Sequence, residues 1–153
     1  MALTWAEGKQ TNKLARPVNS SFPISSPFGV TRKLSVYNNQ EKTHNGIDFA
    51  VPVGTPVYSV CGGRIFAAGW QAEHDHKAGF GLRIWQVAEI DGVVYHIFYA
   101  HLSKLLCKAG DILESDFQRM IGESGNSGSS TGPHLHVGMR DVKTMEWRNM
   151  EFV

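Results

Sequence analysis

His134 and His136 close the stretch GNSGSSTGPHLHV, from Gly125 to Val137, and they are the residues best placed to do chemistry. In an extended strand, side chains two apart point to the same face. Two imidazoles therefore stand side by side, with Leu135 turned the other way. The Gly/Ser-rich run before them lets the backbone turn tightly, and Pro133 stiffens the approach to the strand. Paired imidazoles at this spacing suit a zinc site, or one ligand beside a proton-transfer group.

Three other pieces could join them. The first is His44-Asn45-Gly46-Ile47-Asp48. Fully extended, four residue steps separate His44 from Asp48 by ~13 Å, long for two ligands of one ion. Asn45-Gly46 is a turn signal, and a bend there would bring imidazole and carboxylate together. The second piece is His101, just beyond the apolar run Val93 to Tyr99, where a strand enters a loop. Extrapolated alternation puts His101 on one face with Tyr95, Ile97 and Tyr99, and leaves His96 on the other as a packed or surface residue. The third piece, His74-Asp75-His76, has the same spacing as the first pair but lies in the polar stretch Gln71 to Lys77. With no strand pattern around it, it reads as a solvated loop.

The elements that must position these residues are strands. From Phe22 onward, short apolar runs alternate with Gly, Pro, Asn and Asp, the signature of an antiparallel β domain. The fold class expected is all-β with minor helix, an antiparallel sheet with a loop-walled groove. Candidate strands cover Gly46 to Ala50, Pro56 to Val60, Arg64 to Ala68, Leu82 to Ala88, Val93 to Tyr99 and Leu135 to Met139. Asp91-Gly92 marks a hairpin. Single helical turns are expected at Ser103 to Leu106 and Ser115 to Met120. Residues 1–21 read as an arm or linker.

Composition bounds the function. The 153 residues suit one domain, with 42% apolar and 19% charged residues arguing against disorder. Net charge is +1 without blocks of like charge, so neither nucleic acid nor membrane is an expected partner, and a monomer is expected. The first twenty residues lack the apolar core of a secretory signal, which predicts synthesis in the cytoplasm. Cys61 and Cys107 are too few for a disulfide framework and read as buried thiols.

Taken together, His44 to Asp48 (H-x-x-x-D), Tyr99 to Ser103 (YAHLS) and Gly125 to Val137 resemble the M23 zinc endopeptidases, the lysostaphin/LytM-like peptidoglycan hydrolases. Ser25 to Gly29 (SSPFG), Val53 to Val57 (VGTPV) and Ala109 to Asp111 (AGD) support the likeness, which extends from about Ser25 to Met139. The resemblance implies a peptidase domain over 22–153, with His44, Asp48 and His136 as zinc ligands. It also implies that His101 and His134 are the two non-ligand histidines that work on the attacking water and the oxyanion. Two histidines and a carboxylate leave one zinc position open for water, which agrees with that chemistry. The implied function is zinc-dependent hydrolysis of peptide bonds in peptidoglycan cross-bridges or stem peptides. A phage lysis or virion-associated enzyme, reaching the cell wall by release or injection, is the analogy that a small leaderless chain suggests. Phe80, Tyr95, Tyr99 and the loop Gln71 to Phe80 are candidate groove walls, with core packing the stronger expectation for each aromatic. In some family members an N-terminal asparagine blocks the zinc, a role open here to Asn12 or Asn19.

Two rivals remain. Gly128 to Gly132 fits the G-x-S-x-G of serine hydrolases, but that motif needs a helix after it, and Pro133 and an alternating strand follow instead. A catalytically silent relative that binds peptidoglycan or activates another hydrolase would share the fold. Retention of all five candidate residues argues against it.

Overall fold

Period-two alternation builds this protein, and it is clearest in Leu82 to Ile90, where Leu82, Ile84, Gln86, Ala88 and Ile90 are buried and the residues between them are not. The computed structural model describes residues 13–33 and 41–153. Their strands in chain order are β1 (Lys13–Leu14), β2 (Ile24–Ser26), β3 (Thr31–Lys33), β4 (Glu41–Thr43), β5 (Ile47–Phe49), β6 (Pro56–Tyr58) and β7 (Gly63–Trp70). They continue with β8 (Leu82–Ile90), β9 (Val93–Leu105), β10 (Ile112–Leu113), β11 (Met120–Ser124), β12 (Leu135–Asp141), β13 (Trp147–Arg148) and β14 (Glu151–Phe152).

One sheet dominates, in the order β10-β7-β8-β9-β12-β5-β2, with β11 bonded to β9 and β6, and β13 to β12. Every pairing in it is antiparallel. The expected hairpin joins β8 to β9 through Asp91 and Gly92, both at positive φ (52° and 81°). Such a two-residue turn matches the twist of its strands.

One face of the sheet carries the core, with Phe49, Ile65, Ile84, Ile97, Tyr99, Leu135, Val137 and Met139 all buried. Tyr99 also carries a hydroxyl into this core. It donates to Gln86 Oε1 (2.6 Å) and accepts from the Val60 N–H (3.0 Å), while the Gln86 amide donates to the carbonyls of Cys61 and Gly62. A buried polar network costs little only when it is satisfied in this way. The opposite face holds aromatic and cationic side chains around His96: Trp85 at 4.9 Å between ring centroids, Phe98 beyond it, and Arg140 over Phe98 at 5.4 Å.

The structure corrects several expectations. No helix occurs among the described residues. Ser103–Leu105 continues β9, pairing with β11, while 115–119 is irregular chain. Tyr95 and Tyr99 take the core positions that are the stronger expectation for them, which leaves Phe80 as the groove wall among the three aromatics. Of the expected arm, residues 13–21 lie on the domain: β1 pairs in parallel with β14, and Leu14 and Val18 are buried. Both thiols are free, Cys61 buried and Cys107 half-buried, and burial pushes their pKa values up to about 12 and about 11.

The face assigned to His101 is also wrong. In the β8–β9 register Leu82 pairs with Leu102 and Ile84 with Tyr99, so β9 carries one extra residue. This bulge switches the alternation. His101, at φ 62°, turns to the open face that His96 and Phe98 share, and Leu102 takes the core position.

Candidate metal centre

Strand register places two of the candidate ligands. In the β5–β12 ladder Asp48 stands directly opposite His136, flanked by Ile47 opposite Val137 and Phe49 opposite Leu135. The apolar neighbours enter the core, so period two sends Asp48 and His136 together to the open face.

His44 arrives by the bend expected at Asn45-Gly46. The backbone there runs so close to β12 that a Cβ on Gly46 would lie 2.5 Å from the Val137 carbonyl and 2.6 Å from the His136 ring. Glycine is required at this position for close approach. The Pro27 carbonyl, which can only accept, lies 3.0 Å from His44 Nδ1 and fixes the ring hydrogen there. His44 Nε2 therefore presents a lone pair, 3.1 Å from Asp48 Oδ1 and 3.2 Å from His136 Nδ1. His136 Nδ1 closes the triangle at 2.8 Å from Asp48 Oδ1.

That triangle fits a cation. Tetrahedral zinc with bonds of about 2.0–2.1 Å separates its ligand atoms by about 3.3 Å, close to the spacing seen. The lone pair of His44 directly faces a carboxylate oxygen, a repulsive pairing unless a proton or a metal lies between them. Burial disfavours charge on Asp48, but the neighbouring His136 and His44 imidazoles outweigh it and hold its carboxyl well below the usual range. Burial pushes His136 down, toward the neutral form that ligates metals.

Two further imidazoles flank the triangle. His134 Nδ1 donates to the Gly132 carbonyl (2.8 Å), with the Ser130 hydroxyl 3.1 Å away, and its Nε2 lies 4.0 Å from Asp48 Oδ2. His101 Nδ1 donates to the Ser127 carbonyl (2.7 Å), and its ring centroid is 4.6 Å from that of His134. Burial, with the nearby charge of His134, pushes the His101 pKa down to about 4 despite that carbonyl. In both histidines the backbone commits Nδ1 and leaves Nε2 directed inward.

These side chains floor a groove of about 1040 Å³. Phe80 walls it, stacked on His136 at 5.7 Å, and so do Lys42, Lys77 and Thr131. The loop from Gln71 to Phe80 is tied to the Gly/Ser-rich loop by the Gly128 N–H on the His76 carbonyl and the Ser129 N–H on the Gly79 carbonyl. His74 and His76 are exposed there, and His76 stacks on Trp70 at 3.6 Å. Asn19 is exposed, accepts from the Ser21 N–H and does not line the groove, while Asn12 lies outside the described residues.

Sequence reasoning missed the three carbonyls, of Pro27, Gly132 and Ser127, that orient His44, His134 and His101. A carbonyl is common to every residue and leaves no mark in a sequence.

Two imidazoles and a carboxylate converging on one point beside a groove make a donor set that could hold a metal ion such as zinc. The chain belongs to peptidase family M23, whose model matches residues 42–148, and its cofactor is zinc. The peptidoglycan DD-endopeptidase ShyA of Vibrio cholerae is 41% identical over 120 residues, 78% of this chain and 25% of that protein. The chain thus spans about a quarter of this curated relative's length. Among solved structures, a zinc containing peptidase from Vibrio cholerae matches with TM-score 0.72 and 29% identity, over 90% of this chain and 39% of that one. The catalytic domain of the antimicrobial peptidase lysostaphin from Staphylococcus simulans matches with TM-score 0.67 and 31% identity, over 84% and 89%.

Proposed function

We propose that this protein is a zinc-dependent endopeptidase that hydrolyses peptide bonds in the cross-bridges or stem peptides of peptidoglycan. The observation that carries the reading is the paired geometry: three ligand atoms within 4.8 Å of one another, beside two imidazoles whose Nε2 atoms are free to act. Membership in the M23 family and the likeness to ShyA and lysostaphin support the substrate class.

His44, Asp48 and His136 would hold the metal. Bound zinc supplies Lewis acidity, polarising the scissile carbonyl and bringing the pKa of a water toward neutrality. His134 and His101 then do the proton work. With Nδ1–H committed to a carbonyl, each neutral ring accepts only at Nε2, and each donates there only once protonated. The ring that takes the proton from the attacking water becomes the donor to the tetrahedral oxyanion or the leaving amine. Phe80 screens one side of this region from water, which strengthens each of these interactions.

The test is metal content measured alongside activity. About one zinc per chain, with release of new amino groups from purified peptidoglycan that stops on chelation and returns with zinc, is the expected result. Tight zinc without cleavage of several wall chemistries would overturn the reading.

A further inference from the structure

The bulge that turns His101 toward the metal centre leaves a gap between β8 and β9, and one side chain fills it. Leu82 and Leu102 are paired across this irregular stretch, but the rung between them is made by a third residue. The Ser127 hydroxyl donates to the Leu102 carbonyl (2.6 Å) and accepts from the Leu82 N–H (3.1 Å). A side chain from the Gly/Ser-rich loop is thus threaded into the sheet as a surrogate ladder bond. The same residue's backbone carbonyl accepts from His101 Nδ1 at 2.7 Å.

We infer that Ser127 is a positioning residue for His101: its hydroxyl locks the loop to the bulge so that its carbonyl fixes the imidazole's hydrogen on Nδ1. This rests on the hydrolytic role given to His101 above. Three observations converge on it. The loop sits flush on the sheet, since a Cβ on Gly81 would lie 2.4 Å from Gly128 N and 2.6 Å from the Ser127 carbonyl carbon. Among the described residues, His101 has no second Nδ1 partner to replace the carbonyl. Its own backbone is anchored elsewhere, its N–H donating to Phe80 O at 2.8 Å, so loop movement would release the ring and not the chain. Without the hydroxyl, the carbonyl's peptide unit is held only from the far side, by the Gly128 N–H on the His76 carbonyl, and its distance to His101 is no longer fixed by the sheet. The imidazole then samples both tautomers, and Nε2 presents a lone pair only part of the time.

The experiment compares wild type with S127A and S127T, reading zinc content, kcat and KM on a soluble cross-bridge peptide, and the imidazole ¹⁵N shifts of His101. Threonine keeps the hydroxyl. S127A should bind one zinc and lose about 10- to 100-fold in kcat, the scale of a slight misplacement, with KM little changed. His101 should show mixed tautomers in S127A, and S127T should restore both readouts. Wild-type kcat and a single Nδ1–H tautomer in folded S127A would overturn the inference. So would a kcat loss that persists when S127A is added to H101A, because a residue acting through His101 has nothing left to act on. If S127A does not fold, S127C, with a weaker hydrogen-bonding group of similar shape, carries the same comparison. The tautomer reading needs no turnover. A chain that cleaves no wall peptide would therefore fail the proposed function while still reporting on Ser127.

Discussion

His96 and His101 lie on one strand and point to one face, yet they inhabit opposite chemistries. At the His96 end the open face is an aromatic carpet: Phe66, Trp85 and Phe98 surround the ring, and its buried Nδ1 finds no hydrogen-bond partner among the described residues. At the His101 end the ring meets His134 and His136, and its Nδ1 is held by the Ser127 carbonyl. The difference lies less in the imidazole than in what grips its far nitrogen. A gripped ring has a defined tautomer and direction, while a packed ring contributes shape alone.

The largest expected break in this contrast is His136→Ala. It removes one of three ligands and should abolish both zinc binding and peptidase activity, and stoichiometric zinc in the purified variant would remove His136 from the ligand set. His101→Ala should keep its zinc, checked by metal analysis, yet lose ~100-fold or more in turnover. Gly46→Ala should weaken zinc by ~10-fold or more in competition with a chelator, because the new methyl group strikes the His136 ring and the Val137 carbonyl. His96→Ala, by contrast, should leave turnover near wild type and cost ~1 kcal/mol in denaturant unfolding through lost packing.

The smallest effect is the pH dependence of stability at the His96 end. Burial, joined by the charge of Arg140, lowers the His96 pKa in the folded state below its ordinary 6.5. Below pH 6.5 the unfolded chain therefore takes up the proton more readily, so this part of the stability is present above that pH and is lost on acidification. Unfolding curves of His96→Gln should show a shallower acid decline than wild type. An identical decline would mean that His96 is as easily protonated folded as unfolded.

Much of this was legible in the chain. The alternation of Leu82 to Ala88 and the Asp91-Gly92 pair encode strands and a turn in local residue types, and both stand where expected. The proximity of His134 to His136, and the bend at Asn45-Gly46, are likewise local. What escaped is non-local. The reach of β9 to Leu105 depends on pairing with β11, which overrode the expected helical turn. Leu14 and Val18 become core because distant chain meets their segment: β14 pairs with β1, and Val60 and Tyr58 bond the backbone of Ala15 and Pro17. The face of His101 depends on one surplus residue that nothing in Tyr99-Ala100-His101 announces, since a bulge is a property of two strands together.

That surplus residue makes β9 a counting device. Tyr95 and His101 are an even number of positions apart and still look in opposite directions, so the site depends on the parity of the chain as much as on its composition. Deleting Ala100 alone would leave every other side chain in place in the sequence while restoring strict alternation. His101 would then follow Tyr99 directly and keep the open face, but it would shift one residue step into the place of Ala100 opposite His136, out of register with the Ser127 carbonyl. Substitutions along this segment can be graded by size and charge, but a deletion at the bulge moves the imidazole by a whole strand position.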